Sequence, residues 1–132
     1  MAENMTSIDL DHPVYLLEVV AMHRWLDGDP DGFLEISADD VVYTDPFMSG
    51  WLIGKPELKA NYDQIRGKVH ADRFEFVQPH VTQIGEAAVL TYDFVSWGEE
   101  EVRWHCTEAF RRDNDRWRIV ATHWSFQPAP QA

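Results

Sequence analysis

The chain has 132 residues, with 23 acidic against 11 basic side chains and a formal net charge of −12. That length fits one domain over 1–132, and the charge sets the chain against nucleic acid and anionic membrane, since both would be repelled. A hydrophobic share of 45% excludes wholesale disorder, while six Trp, four Tyr and seven Phe exceed a minimal core and point to a lined cavity, an interface, or both.

Residues 1–8 are polar and read as a flexible tail. Met1 to Leu10 lacks the basic start and apolar run of a signal peptide. Asp11, His12 and Pro13 look like a helix start, with Asp11 as cap and Pro13 in the first turn. Leu16, Leu17, Val20, Met22 and Trp25 follow, apolar over much of the circumference, so this helix is expected to be well buried. Asp27 to Pro30 ends it and starts a short second helix carrying Phe33, Leu34 and Ile36, capped by Asp29 with Pro30 at its first position. Ala38, Asp39 and Asp40 break that helix, and Val41 to Thr44 reads as a strand. Asp45 and Pro46 end it, and Met48 to Gly54 reads as a loop. Lys55, Pro56 and Glu57 open a third helix with Leu58, Tyr62 and Ile65 at helical spacing, closed by Gly67.

From Asp72 onward the pattern is that of strands, expected at Arg73–Thr82, Ala87–Trp97, Glu101–Arg111 and Trp117–Phe126. Gly85, Gly98 and Asp113 to Asp115 separate them as turns. Residues 127–132 carry two prolines and read as a second flexible tail. Long sequential strands after helices predict an α+β fold with an antiparallel sheet, able to curl around the helices and leave a pocket. No apolar run approaches the ~20 residues of a membrane span. A single cysteine, Cys106, excludes an intrachain disulfide and suits a reducing compartment. The chain reads as soluble and cytoplasmic.

Alternation assigns the strand faces. Val102, Trp104, Cys106, Glu108 and Phe110 form the inner row of their strand, with Arg103, His105, Thr107, Ala109 and Arg111 outside. Glu108 is the one carboxylate in an apolar row. Leu90, Tyr92 and Phe94 form one row of the preceding strand. Thr122 and Trp124 share a row on the last strand, opposed by Trp117, Ile119, Ala121 and His123. Rows apolar on both faces are covered on both faces, and the helices suffice for one. The other face is expected to pair with a second copy, giving a homodimer.

Two tracts resemble a known superfamily. Ala38 to Phe47, with Asp45 before Pro46 and Gly54 opening a helix, resembles the first strand of ketosteroid isomerases. Gln78 to His80, Gly85-Glu86, Arg111-Arg112 and Trp117 to Ser125 are similar to the calmodulin-kinase association domain and to SnoaL-like proteins. Together, over Val14 to Phe126, they resemble the nuclear transport factor 2-like superfamily. The resemblance implies a cone, a curved antiparallel sheet wrapped around about three helices with an internal pocket. It places Asp45 at the isomerases' catalytic base. It also marks departures: Ala21 and Cys106 stand where those enzymes carry their tyrosine and protonated aspartate donors, so steroid isomerase activity does not follow.

Asp45 then has two readings, a strand-ending Asp-Pro turn or a pocket carboxylate that takes a proton. Glu108 is either paired with an arginine or, sharing a pocket with Asp45, the second member of an acid–base couple. Tyr43, Tyr92, Phe94, Trp104, Cys106, Thr122, Trp124 and Trp25 are the candidate pocket residues, each with ordinary core packing as the rival reading. The six histidines lack metal-ligand spacing and no phosphate loop is present, so neither metal nor cofactor is expected. Two functions follow: a cofactor-free proton-transfer enzyme of isomerase, dehydratase or cyclase type acting on a small, partly apolar molecule with Asp45 as base, or a non-catalytic ligand-binding or oligomerisation domain.

Overall fold

The computed structural model describes residues 11–128, and the tail expected at 1–8 lies outside them, as do residues 129–132. Helix α1 runs Pro13–Trp25, α2 Asp31–Glu35 and α3 Lys55–Ile65. The strands are β1 Ser37–Thr44, β2 Leu52–Ile53, β3 Arg73–Ile84, β4 Ala87–Trp97, β5 Glu101–Asp113 and β6 Arg116–Phe126. They form one six-stranded sheet in the order β2-β1-β6-β5-β4-β3. The fold is α+β, an unclosed, curved sheet with the helices on its concave side.

Several expectations change in detail. Pro13 is the first residue of α1, and the cap is His12 rather than Asp11: its Nδ1 accepts from the Val14 N–H at 3.2 Å. Asp29 does hold the start of α2, accepting from the Asp31 N–H at 3.0 Å, with Pro30 one position before the helix. Leu16 and Val20 are 51% and 62% exposed, so α1 buries one face, Val14, Tyr15, Glu18, Ala21 and Met22, and leaves the other open. The loop after Asp45 contains β2. Gln127, expected in the second flexible tail, is instead tied to β5, donating from its N–H to the Arg103 carbonyl at 3.0 Å.

The sheet is mixed. β3 to β6 pair antiparallel in sequence order, but β1 pairs parallel to β6. The β5–β6 hairpin turns through Asn114 and Asp115, both in the left-handed region at φ 50° and 66°, a conformation that short polar side chains tolerate. On β4 and β5 the inner row read from alternation holds, with Leu90, Tyr92, Phe94, Cys106, Glu108 and Phe110 buried; on the outer row Thr91, Arg103, His105 and Thr107 are exposed, but Val95 is buried at 3%.

β6 departs from its predicted phase. Ala109 pairs with Ala121, but its neighbour Phe110 pairs with Ile119, so Val120 is the extra residue of a bulge. One inserted residue flips every side chain beyond it. Ile119 therefore enters the core at 1% exposure, and Trp117 packs against the core as well. Neither belongs to the outer face, which keeps Val89, Ala109, Ala121 and His123. A second bulge, at Gln78 with φ 51°, interrupts β3 between Val77 and His80.

Candidate functional site

Between the helices and the concave face of the sheet lies a cavity of about 460 Å³. Its helical wall carries Trp25, Phe33 and Tyr62, which meet edge to face with centroids 5.8 Å (Trp25–Phe33) and 5.0 Å (Trp25–Tyr62) apart. Its sheet wall carries Phe94, Trp104 and Trp124, with Trp104 and Trp124 perpendicular at 5.7 Å. Gly67 donates its N–H to the Gly28 carbonyl at 2.8 Å, joining the end of α1 to the end of α3. A Cβ on Gly28 would stand 3.0 Å from the Gly67 Cα, so the approach requires glycine there.

Asp45 lines the cavity beside Met48 and Phe47. Both of its oxygens accept hydrogen bonds: Oδ2 from the Tyr43 hydroxyl and Oδ1 from the Phe47 N–H, each at 2.8 Å. The Asp-Pro turn and the pocket carboxylate are thus one arrangement, because the turn that ends β1 holds the carboxylate in the lining. Tyr43 also meets Tyr62 edge to face at 5.7 Å. Burial pushes both phenols well above their ordinary range, so they act as O–H groups.

Glu108 lies deep in the same cavity at 1% exposure. Its partner is not an arginine. Glu18 of α1, 0% exposed, faces it, with a carboxyl oxygen of each within 4.8 Å of the other. Thr122 donates to Glu108 Oε2 at 2.8 Å, and Tyr92 donates to Glu18 Oε2. The remaining oxygens, Glu18 Oε1 and Glu108 Oε1, have no donor unless a proton sits between the carboxyls. Burial raises the pKa of both groups; Glu108 is pushed well above the carboxylate range, next by the charge of Glu18. Two facing carboxyls in an apolar site cannot both ionise cheaply, so the pair retains a proton.

Five of the predicted pocket residues, Trp25, Tyr43, Phe94, Trp104 and Trp124, line the cavity; Tyr92, Cys106 and Thr122 lie behind it in the wall. Burial also raises the Cys106 thiol, which keeps it protonated and a poor nucleophile. Glu18, Cys106 and Glu108 bring one ligand atom each within 4.8 Å of one another, so a cation there would have to displace the protons that burial favours. His105 is exposed on the outer face, bound to Asp93 at 2.7 Å, and His123 lies there against Trp51. Sequence reasoning missed Glu18 and Tyr62 as site residues. Glu18 sits four residues after Val14 and four before Met22, on the stripe α1 buries, but apolar residues around the rest of the helix mask that spacing in the sequence.

The family profile of the SnoaL-like domain matches residues 19–130. The chain belongs to this family. Among solved structures, this SnoaL-like chain is similar to a candidate ketosteroid isomerase from Parabacteroides distasonis, at 30% identity and a TM-score of 0.78 over 89% of each chain. An NTF2-like protein of unknown function from Pseudomonas putida matches at 21% identity and a TM-score of 0.77, over 98% of this chain and 99% of the other. The CaMKII hub of S. rosetta matches at 17% identity and a TM-score of 0.69, over 86% of this chain and 94% of the hub, a likeness of fold. The comparison with curated proteins gives no match. The SnoaL-like chain thus has an NTF2-like fold that carries both isomerase-like proteins and hubs. Among its described residues, no helix is long and apolar enough to cross a membrane.

Proposed function

We propose that the cavity binds a small, partly apolar molecule and moves a proton on it without a cofactor, in an isomerisation, dehydration or cyclisation. Asp45 is the base and Glu108 the acid or hydrogen-bond donor. One observation carries this reading: a single apolar cavity presents two carboxyls in opposite roles. Asp45 accepts two hydrogen bonds through its two oxygens, as a carboxylate does. Glu108 sits where burial and Glu18 keep a proton in place. A hydrogen-bonded acceptor carboxyl and a proton-retaining one in a single cavity supply a base and an acid together. The acid fills the need left by Ala21 and Cys106, which offer no oxyanion donor.

The test needs no known substrate. A panel of cyclic ketones and enones is incubated with the protein in D2O, and carbon-bound deuterium is followed by NMR. The expected result is exchange on at least one compound class that Asp45→Asn slows by about 10²–10⁴-fold. Equal exchange in both proteins across the panel overturns catalysis by Asp45.

The likeness to hubs supports a second reading, a non-catalytic binding or oligomerisation domain. It keeps the homodimer through the outer sheet face, on a smaller surface than the sequence suggested, because Trp117 and Ile119 turn inward. Val89, at 40% exposure, with Ala109 and Ala121 would form its centre. Sedimentation at micromolar concentration tests it: a 15.3 kDa species counts against the dimer. The lone, buried Cys106 suits a cytoplasmic setting in either reading.

A further inference from the structure

The cavity is unusual in charge. Among the described residues, no lysine or arginine lines it; its acidic lining residues are Asp45 and Glu108, and its lining histidine, His70, is bound to Asp72 at 3.1 Å. The arginines next in sequence to lining residues are engaged elsewhere: Arg24 with Asp29 and Glu35, Arg66 with Asp31 and Asp63, and Arg103 with Glu101. A carboxylate or phosphate entering the cavity would lose its water, meet no lysine or arginine, and face Asp45. A positive ligand meets the reverse. Asp45 has two acceptor positions left after Tyr43 and Phe47 take theirs. The walls are ring systems, whose faces attract cations, tryptophan most of all.

We infer that the cavity selects an organic monocation, a protonated or quaternary amine carrying a ring-sized apolar body. The charge is held between Asp45 and the tryptophans of the sheet wall, Trp104 and Trp124. The body lies between that wall and the rings of Trp25, Phe33 and Tyr62. A volume of about 460 Å³ is within the range of small-molecule sites and admits such a molecule. This inference rests on the cavity being a small-molecule site and is independent of the proton transfer.

The test uses three probes of one shape on the whole chain: benzyltrimethylammonium, its uncharged carbon isostere neopentylbenzene, and the anion phenylmethanesulfonate. Binding is read from quenching of tryptophan fluorescence, since Trp25, Trp104 and Trp124 all line the cavity. The cation is expected to bind at least tenfold more tightly than the isostere, and the anion not at all. Asp45→Asn brings cation and isostere to within about threefold. Trp104→Leu, which leaves Asp45 in place, also lowers the preference and serves if the first variant does not fold. Binding of the isostere or the anion as tight as the cation overturns the cation class while leaving the pocket standing. Failure of all three probes overturns the pocket reading itself.

Discussion

The carboxyls of the cavity floor and those of the outer shell have the same chemistry and opposite surroundings. On the shell, arginines pair with acids: Arg111 spans Asp40 and Asp113, Arg112 holds Glu86 through two bonds of 2.7 Å, and Arg24 bridges Asp29 and Glu35. These bonds lower the pKa of Asp40, Glu86, Asp29 and Glu35. On the floor, Glu18 and Glu108 have only each other and two hydroxyls, and burial raises both. Cations placed on the shell satisfy charges that water would satisfy anyway. Their absence from the floor keeps a proton where a reaction or a ligand can meet it.

The comparison breaks most visibly at Glu18. Glu18→Ala removes a fully buried side chain and leaves the Tyr92 hydroxyl and Glu108 without their partner. A loss on the order of 3 kcal/mol is expected in urea unfolding. A loss below about 1 kcal/mol would mean that the two carboxyls do not form a unit.

A change of pH sharpens the contrast. For Glu108 the folded pKa lies above its ordinary 4.5, so its contribution to stability is complete below that value and is lost as pH rises toward the folded one. The shell acids run the other way, with a contribution complete at neutral pH and lost as pH falls toward their depressed values. Glu108→Gln cannot ionise and keeps every shell pair. The variant is therefore expected to gain stability relative to the native chain between pH 5 and pH 8, a gap read from paired urea titrations. A gap independent of pH would show that Glu108 is already ionised in the fold.

The smallest effect belongs to the shell. Arg112→Ala removes an exposed pair with Glu86 and a cation stacked over Trp117. The unfolding midpoint should move little, and the remaining difference should fade in high salt. A change as large as that of Glu18→Ala would erase the distinction between the two regions.

How far the sequence reached follows from the range of each interaction. Alternation placed Glu108 inward, because β4 and β5 pair without interruption from Ala87 to Ala109 and period two carries through. It failed at Trp117 and Ile119 because the bulge at Val120 has no glycine or proline to announce it. The parallel pairing of β1 with β6 joins residues more than 70 positions apart, such as Val42 and Ala121, and no local pattern encodes it. Asp45 was legible through its turn and its resemblance. Glu18 was not, since α1 carries apolar residues around most of its circumference, and a charge stands out only against a clear stripe. The missing arginine at Glu108 needed the fold, which supplies a second carboxyl from another element instead.

The bond between Gly67 and Gly28 has a consequence for how this cavity can change. The ends of two helices are tied by main chain, whereas the cavity they cover is furnished by side chains on three helices and four strands. Substituting Trp104, Phe33 or Met48 would remodel the lining and leave that tie in place. A side chain at Gly28 would instead press on the Gly67 backbone and part the helix ends. The lining and the spacing of the helix ends are thus separable, the first open to gradual substitution and the second held by two glycines at φ 87° and 79°.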